Sequence, residues 1–332
     1  MDATSHILSG EDSLAGLSLT FKDAARIALV LTHCVGTNKE IWEPVIQRLY
    51  QLQSCARSGV VVVETWSMDS PNHGEAAAIN EKALLKRPQG MTGYDWGRGI
   101  QTLLQSGLIS HDLKVVPIGH SAGACILVLS GTAYPLDKLP YSSMILVEPT
   151  MMTKEILDKT FKTPSELSRV IDAVKQRKDI WQSREVARAW FAKRLPWKRW
   201  DPRVLDIFIK YGLRDLPTAS YPTQAQGVTL SCTREQESVG YVYHQDGVDA
   251  NELLKELCPR IPVHCIFGAE IDLVTDENHR VIHDASQGRR MASVATIEGA
   301  GHLITQEAPI KLADAIWKIL SGDVGQDLSG KL

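Results

Sequence analysis

The stretch Gly119-His120-Ser121-Ala122-Gly123 constrains this chain more than any other part of it. It follows a strand-like run, Val115-Val-Pro-Ile118, and precedes an apolar helical run, Ala124-Cys-Ile-Leu-Val-Leu129. In that context G-x-S-x-G predicts a tight strand-to-helix turn that lifts the serine oxygen above a sheet edge. Small residues flank the serine because such a strained turn leaves little room for side chains. The helix N-terminus beneath it favours developing negative charge.

Other short β-branched runs repeat the strand-then-helix order. They are Ile27–Thr32, Val60–Thr65, Leu113–Ile118, Ser143–Val147, Pro262–Phe267 and Ser293–Ile297. Continuous apolar runs of this kind suit strands buried on both faces of a mainly parallel sheet. Helical patterns lie between them, at Trp42–Leu52 and Gly97–Leu108, and a closing helix is expected near Ile310–Leu320. The expected fold is therefore α/β, doubly wound. The alternation stops after Pro149, and residues 150–249 read as helix-rich, charged and tryptophan-heavy (Trp181, Trp190, Trp197, Trp200). A hundred residues is too long for a loop. The reading is a core of residues 1–149 and 250–332 with a helical cap, residues 150–249, inserted between its parts.

Bulk properties exclude several partners. With 36 basic against 39 acidic residues and a net charge of −3, nothing argues for nucleic acid or an anionic membrane surface. No apolar run is long enough to span a bilayer. The start, MDATSHILSGEDSL, lacks the charged and apolar regions of a secretory signal. Six cysteines (Cys34, Cys55, Cys125, Cys232, Cys258, Cys265) are scattered without CxxC spacing, which reads as reduced thiols in an intracellular protein, not a metal site. No cofactor is expected, and the oligomeric state is left open. The ending Gly330-Lys331-Leu332 matches two of the three positions of the peroxisomal S-K-L address, so the expected location is peroxisomal or cytoplasmic.

A serine hydroxyl is a poor nucleophile unless a histidine takes its proton. His302, in Gly299-Ala-Gly-His-Leu303 after the last strand-like run, is the expected base. His33, His73 and His120 also fall in loops near the expected site, and are read as structural or substrate-contacting. The carboxylate behind the histidine should follow the serine and precede the histidine. Asp272, after the run ending at Phe267, is preferred, and Glu148, which ends the preceding strand, is the alternative. Glu270 and Asp276 are read as solvated neighbours. Backbone N–H groups of Ala122 and Val35 are the expected oxyanion donors. Cys34 stands where that loop usually carries glycine, and is read as an inert thiol. The turn Asp69–Gly74 is read as structural. The segment Arg194–Trp200 is read as lid packing with a solvated basic face that could attract an acidic group.

These residues resemble the α/β-hydrolase superfamily over essentially the whole chain. The likeness rests on His33 with Trp42, Asp69–Gly74, the elbow at Ser121, Glu148-Pro149, Gly268 with Asp272, and Gly301-His302. Lys39–Pro44, Pro71–Gly74 and Tyr211–Arg214 further resemble a fungal group that includes toxin-biosynthesis hydrolases, whose members often end in a peroxisomal tripeptide. The resemblance implies a helical cap between the sixth and seventh strands. The expected activity is hydrolysis of an ester, thioester or lactone of a mainly apolar small molecule through an acyl-enzyme on Ser121. Acyl transfer, carbon–carbon hydrolysis, or ligand binding without turnover are the alternatives. Epoxide hydrolases and dehalogenases of this fold carry aspartate at the elbow, so Ser121 argues against both.

Overall fold

Strand β2 (Ala25–Thr32) shows why the sheet is buried on both faces. Its odd residues Ile27, Leu29 and Leu31 join helices α1 (Glu43–Cys55) and α5 (Pro309–Ser321) in one apolar cluster. Its even residues Ala28 and Val30 join α2 (Gly93–Gln105) and α3 (Ala122–Ser130) in another. A strand with helices on both sides has no polar face, so it reads as a continuous apolar run. The computed structural model describes residues 5–9, 24–55, 58–160 and 166–322. The Gly330–Leu332 ending and most of the N-terminal stretch read for a signal lie outside the described residues.

Among the described residues, seven strands form the main sheet in the order β1-β3-β2-β4-β5-β9-β10. The other members are β1 (Ser5–Ser9), β3 (Val60–Met68), β4 (Lys114–His120), β5 (Met144–Val147), β9 (Val263–Gly268) and β10 (Ser293–Ile297). Six run parallel, and β1 pairs antiparallel with β3 at the edge. The six parallel strands coincide with the six apolar runs of the sequence. Strand β1, Ser-His-Ile-Leu-Ser, has no such run and is placed by backbone pairing to β3. The elbow helix α3 is buried from Gly123 to Ser130, as expected of a helix apolar all round. Helix α4 (His244–Leu257) covers it, with Ala250 and Leu254 in one apolar cluster with Ala124 and Val128.

The insertion between β5 and β9 is mixed, not purely helical. Among the described residues it holds five helices (Lys154–Thr160, Glu166–Gln176, Arg184–Phe191, Pro202–Tyr211 and Arg234–Gly240) and a small antiparallel sheet in the order β6-β8-β7. Its strands, β6 (Ile180–Trp181), β7 (Leu213–Asp215) and β8 (Val228–Leu230), are two or three residues long, too short to show a period-two pattern. The chain returns to the core layer at His244, where α4 begins, ahead of the expected boundary at Asp249. Phe191 is the centre of the cap's aromatic packing, with Trp181, Trp197 and Phe208 rings 4.7–5.3 Å away. These rings share the apolar cluster of α1 and α5, so the cap is rooted in the core.

A buried ion pair joins two segments of the cap. The Arg177 guanidinium donates through both Nη atoms to the Glu237 carboxylate, with Nη1 3.0 Å from Oε1, and both side chains are nearly buried. Glu237 in turn sits on the loop after β2: a Cβ at Gly36 would stand 2.9 Å from Glu237 Oε1. Removing one partner leaves a buried charge uncompensated, at a cost of about 3–5 kcal/mol. Arg177→Met should therefore lower the urea unfolding free energy by about that amount; a change of less than about 1 kcal/mol would show the pair to be unimportant.

Candidate active site

Ser121 sits between β4 and α3 with φ 58 and ψ −123, a conformation that side-chain-bearing residues rarely adopt. Its N–H donates to Val147 O at 2.9 Å, which anchors the turn to β5. The flanking glycines serve close approach. A Cβ on Gly119 would lie 2.6 Å from the Ala124 backbone, and one on Gly123 would lie 2.6 Å from His33 O. The space left free lets the loop after β2 press onto the start of α3, where Thr32 Oγ1 donates to Gly123 O at 3.0 Å. Strain at a single residue of this kind persists only where the surroundings over-determine it.

His302 Nε2 lies 2.9 Å from Ser121 Oγ, and His302 Nδ1 lies 3.0 Å from Glu148 Oε2. Glu148 is nearly fully buried, and Gly268 N–H donates to its Oε1 at 2.7 Å. Burial pushes this carboxyl up, but hydrogen bonds from His279 and His302 outweigh that and bring it down to about 2. Glu148 is thus an ionised, acceptor-only group at neutral pH, which places the proton of a neutral His302 on Nδ1. The bare Nε2 then faces the Ser121 hydroxyl. His120 holds the loop from below, its Nε2–H donating to His302 O at 2.8 Å. Burial depresses the His120 imidazole to about 3, so it is neutral.

Of the two candidate carboxylates, the alternative, Glu148, and not the preferred Asp272, reaches the imidazole of His302. Asp272 Oδ1 accepts from the backbone N–H of His302 at 2.9 Å and of Leu273 at 2.6 Å, not from the imidazole. A Cβ on Gly301 would lie 2.1 Å from Asp272 Oδ2, so the carboxylate is pressed against the loop backbone. Both β5 and β9 end beside the histidine, and only the longer Glu148 side chain, at a residue with φ 45, reaches under its ring. Of the two solvated neighbours, Glu270 pairs with Arg199 at 2.6 Å and Asp276 with Arg280 at 3.1 Å.

Two buried histidines tie the loop after β2 to the turn Asp69–Gly74. His33 Nδ1–H donates to Cys34 O at 2.7 Å, and its Nε2 accepts from Ser70 N at 3.0 Å. His73 Nε2 accepts from Gly36 N at 2.9 Å, and its Nδ1–H donates to Asn72 Oδ1 at 2.7 Å. Both imidazoles are held down by burial, His33 to about 4. Asp69 accepts from Lys39 N at 2.7 Å and Glu75 N at 3.0 Å, while the buried Lys39 ammonium bridges Asp69 and Glu75 at 3.2 Å each. Burial raises the Cys34 thiol to about 11, and Gln306 Nε2 approaches its sulfur at 3.1 Å. That thiol is protonated and packed away.

A cavity of about 260 Å³ opens on Ser121. Val35 and Ala122 line it beside the serine, and His73, Asp246 and Asp272 are among its other walls. Among the described residues no lysine or arginine lines it, and none of the cap tryptophans does. The basic segment of the cap is engaged elsewhere. Arg194 stacks 4.2 Å above the Trp190 ring, and Arg199 pairs with Glu270 and Glu307. One side chain in contact with Glu148 escaped sequence reading altogether: His279, 3.3 Å from Glu148 Oε2. It lies on a short helix, Asp276–Ile282, with no motif around it.

The fold agrees with the comparisons to known proteins. The alpha/beta hydrolase family model matches residues 29–315, and the chain belongs to that family. A type I acyl-CoA thioesterase of Penicillium brevicompactum is 29% identical over 196 residues, 59% of this chain and 42% of that protein. The peroxisomal membrane protein LPX1 of Saccharomyces cerevisiae is 26% identical over 142 residues, 41% of this chain and 34% of that one. In these matches the chain spans less than half the length of the curated relatives. The solved structure of the peroxisomal alpha-beta-hydrolase Lpx1 superposes with a TM-score of 0.74, covering 97% of this chain and 82% of that one at 18% identity. The likeness to fungal and peroxisomal members of the family is thereby borne out, and hydrolysis is the activity this membership supports.

Proposed function

We propose that the protein is a serine hydrolase that cleaves an ester, thioester or lactone with a mainly apolar acyl part through an acyl-enzyme on Ser121. The observation that carries this is the line Ser121 Oγ, His302 Nε2, His302 Nδ1, Glu148 Oε2, with links of 2.9 and 3.0 Å, opening on the cavity. As Oγ attacks the carbonyl carbon, Nε2 takes its proton, and Glu148 steadies the imidazolium. The carbonyl oxygen becomes an oxyanion that accepts from the N–H groups of Ala122 and Val35. Gly36 N–H is committed to His73, which favours Val35 as the donor from that loop. Collapse breaks the bond to the leaving oxygen or sulfur, which receives the proton from Nε2. Water then repeats the sequence on the acyl-enzyme and releases the acid. Of the expected peroxisomal or cytoplasmic locations, the peroxisomal name of the yeast relative supports the first, and no helix among the described residues is long and apolar enough to cross a membrane.

A fluorophosphonate probe should label the native protein once, at Ser121, and not the Ser121→Ala variant. Absent labelling, or labelling that survives the substitution, would falsify the nucleophile. Glu148→Gln should lower kcat by about 10⁴, as expected when the base loses its orienting carboxylate. Asp272→Asn, which keeps an oxygen acceptor for the His302 backbone, should cost less than about tenfold. The reverse order would return the role to Asp272.

The cavity wall favours an uncharged acyl group. Asp246 accepts from Gly93 N–H at 2.6 Å, and its carboxyl is pushed up by burial, so a second carboxylate brought beside it would be poorly tolerated. Comparing p-nitrophenyl pentanoate with mono-p-nitrophenyl glutarate sets a methyl against a carboxylate at the same chain position. The glutarate should show a kcat/KM lower by about tenfold or more, a difference of about 1.4 kcal/mol. Asp246→Asn should narrow the gap. Equal rates for the two esters would overturn the charge preference without touching the nucleophile.

A further inference from the structure

Glu148 receives more donors than orienting a histidine requires. Gly268 N–H reaches Oε1 at 2.7 Å and His302 Nδ1 reaches Oε2 at 3.0 Å. The Nε2 of His279 stands 3.3 Å from both carboxylate oxygens, astride the group. An ionised carboxylate only accepts, so this Nε2 carries a proton and the bond is bifurcated. His279 is itself held, 7% exposed with its ring 4.3 Å from that of Phe267 at an interplanar angle of 33°. Glutamate has one more rotatable bond than aspartate, and its terminal torsion is broad and weakly restrained by itself. A carboxylate on that longer arm needs a further contact to hold its plane.

We propose that His279 is a positioning residue, which pins the Glu148 carboxylate so that Oε2 faces His302 Nδ1. The assignment rests on the reading of Ser121, His302 and Glu148 above. His279 touches neither the serine nor the cavity and acts through Glu148 alone. The second imidazole also adds the foremost of the hydrogen bonds that keep this buried carboxyl ionised. Outer partners of this kind are worth about 10–100-fold where they orient an inner group.

The test is a cycle of four proteins, with kcat and KM measured on p-nitrophenyl pentanoate: native, His279→Phe, Glu148→Gln and the double variant. Phenylalanine keeps the ring packed on Phe267 and removes the donor. Expected is a kcat lower by about 10–100-fold with KM changed less than about twofold. His279→Gln, whose side-chain amide can donate in place of the ring, should recover most of the loss and also serves if the Phe variant folds poorly. In the Glu148→Gln background, His279→Phe should cost less than about a further twofold, because the interaction is already gone. The same loss in both backgrounds, or equal losses in the Gln and Phe variants, would mean that His279 does not act through Glu148, and overturns the proposal. Should Glu148→Gln keep full turnover, the reading of the triad falls and this proposal with it. Should Glu148→Gln be crippled while His279→Phe is not, the role of His279 alone falls.

Discussion

The hydrogen bond between His302 Nδ1 and the buried Glu148 carboxylate is the contact on which the rest of the site depends. An isolated carboxylate taken out of water would protonate, and a protonated acid could no longer dictate which nitrogen of the histidine is bare. Donors from three directions prevent this: a backbone N–H at the end of β9 and two imidazoles. Their combined effect outweighs burial. With Glu148 ionised, the proton of a neutral His302 lies on Nδ1, and the bare Nε2 faces the Ser121 hydroxyl at 2.9 Å. The packing around it, from His120 under the loop to Asp272 on the backbone of His302, keeps the ring at the right distance.

A second set of contacts ties the wall of the site to the cap. His33 and His73 fasten the loop after β2 to the turn Asp69–Gly74, and the Lys39–Asp69–Glu75 charges lock that turn. Glu237, itself held by Arg177, lies against Gly36 on the same loop. The cap is thus joined to the loop that carries Val35. Its tryptophans contribute anchorage and leave the cavity lining to other side chains. The cavity wall and the loop that carries Val35 thus share one support.

The acid shows where sequence reasoning stops. Chain order allowed Asp272 and Glu148 equally, and the customary place of the acid in the fold favoured Asp272. What separates them is reach. Glu148 leaves β5 at a residue with φ 45 and turns its carboxylate under the imidazole, while Asp272 folds back onto the loop backbone. His279 was invisible for a related reason: nothing local marks it, and it meets Glu148 from 131 residues away in the chain. In the cap, Trp181 and Val228 pair in strands two or three residues long, below the length at which alternation can be recognised.

The sequence by itself determined the parallel sheet, the serine on its strained turn and the histidine after the last strand. These depend on local patterns: apolar runs, glycines that permit close approach, and the order of elements along the chain. Tertiary structure alone decided which carboxylate meets the His302 imidazole, which second imidazole meets that carboxylate, and what lines the cavity. Those are matters of side-chain reach and burial between residues far apart in sequence, and spacing along the chain carries no information about distances across the fold.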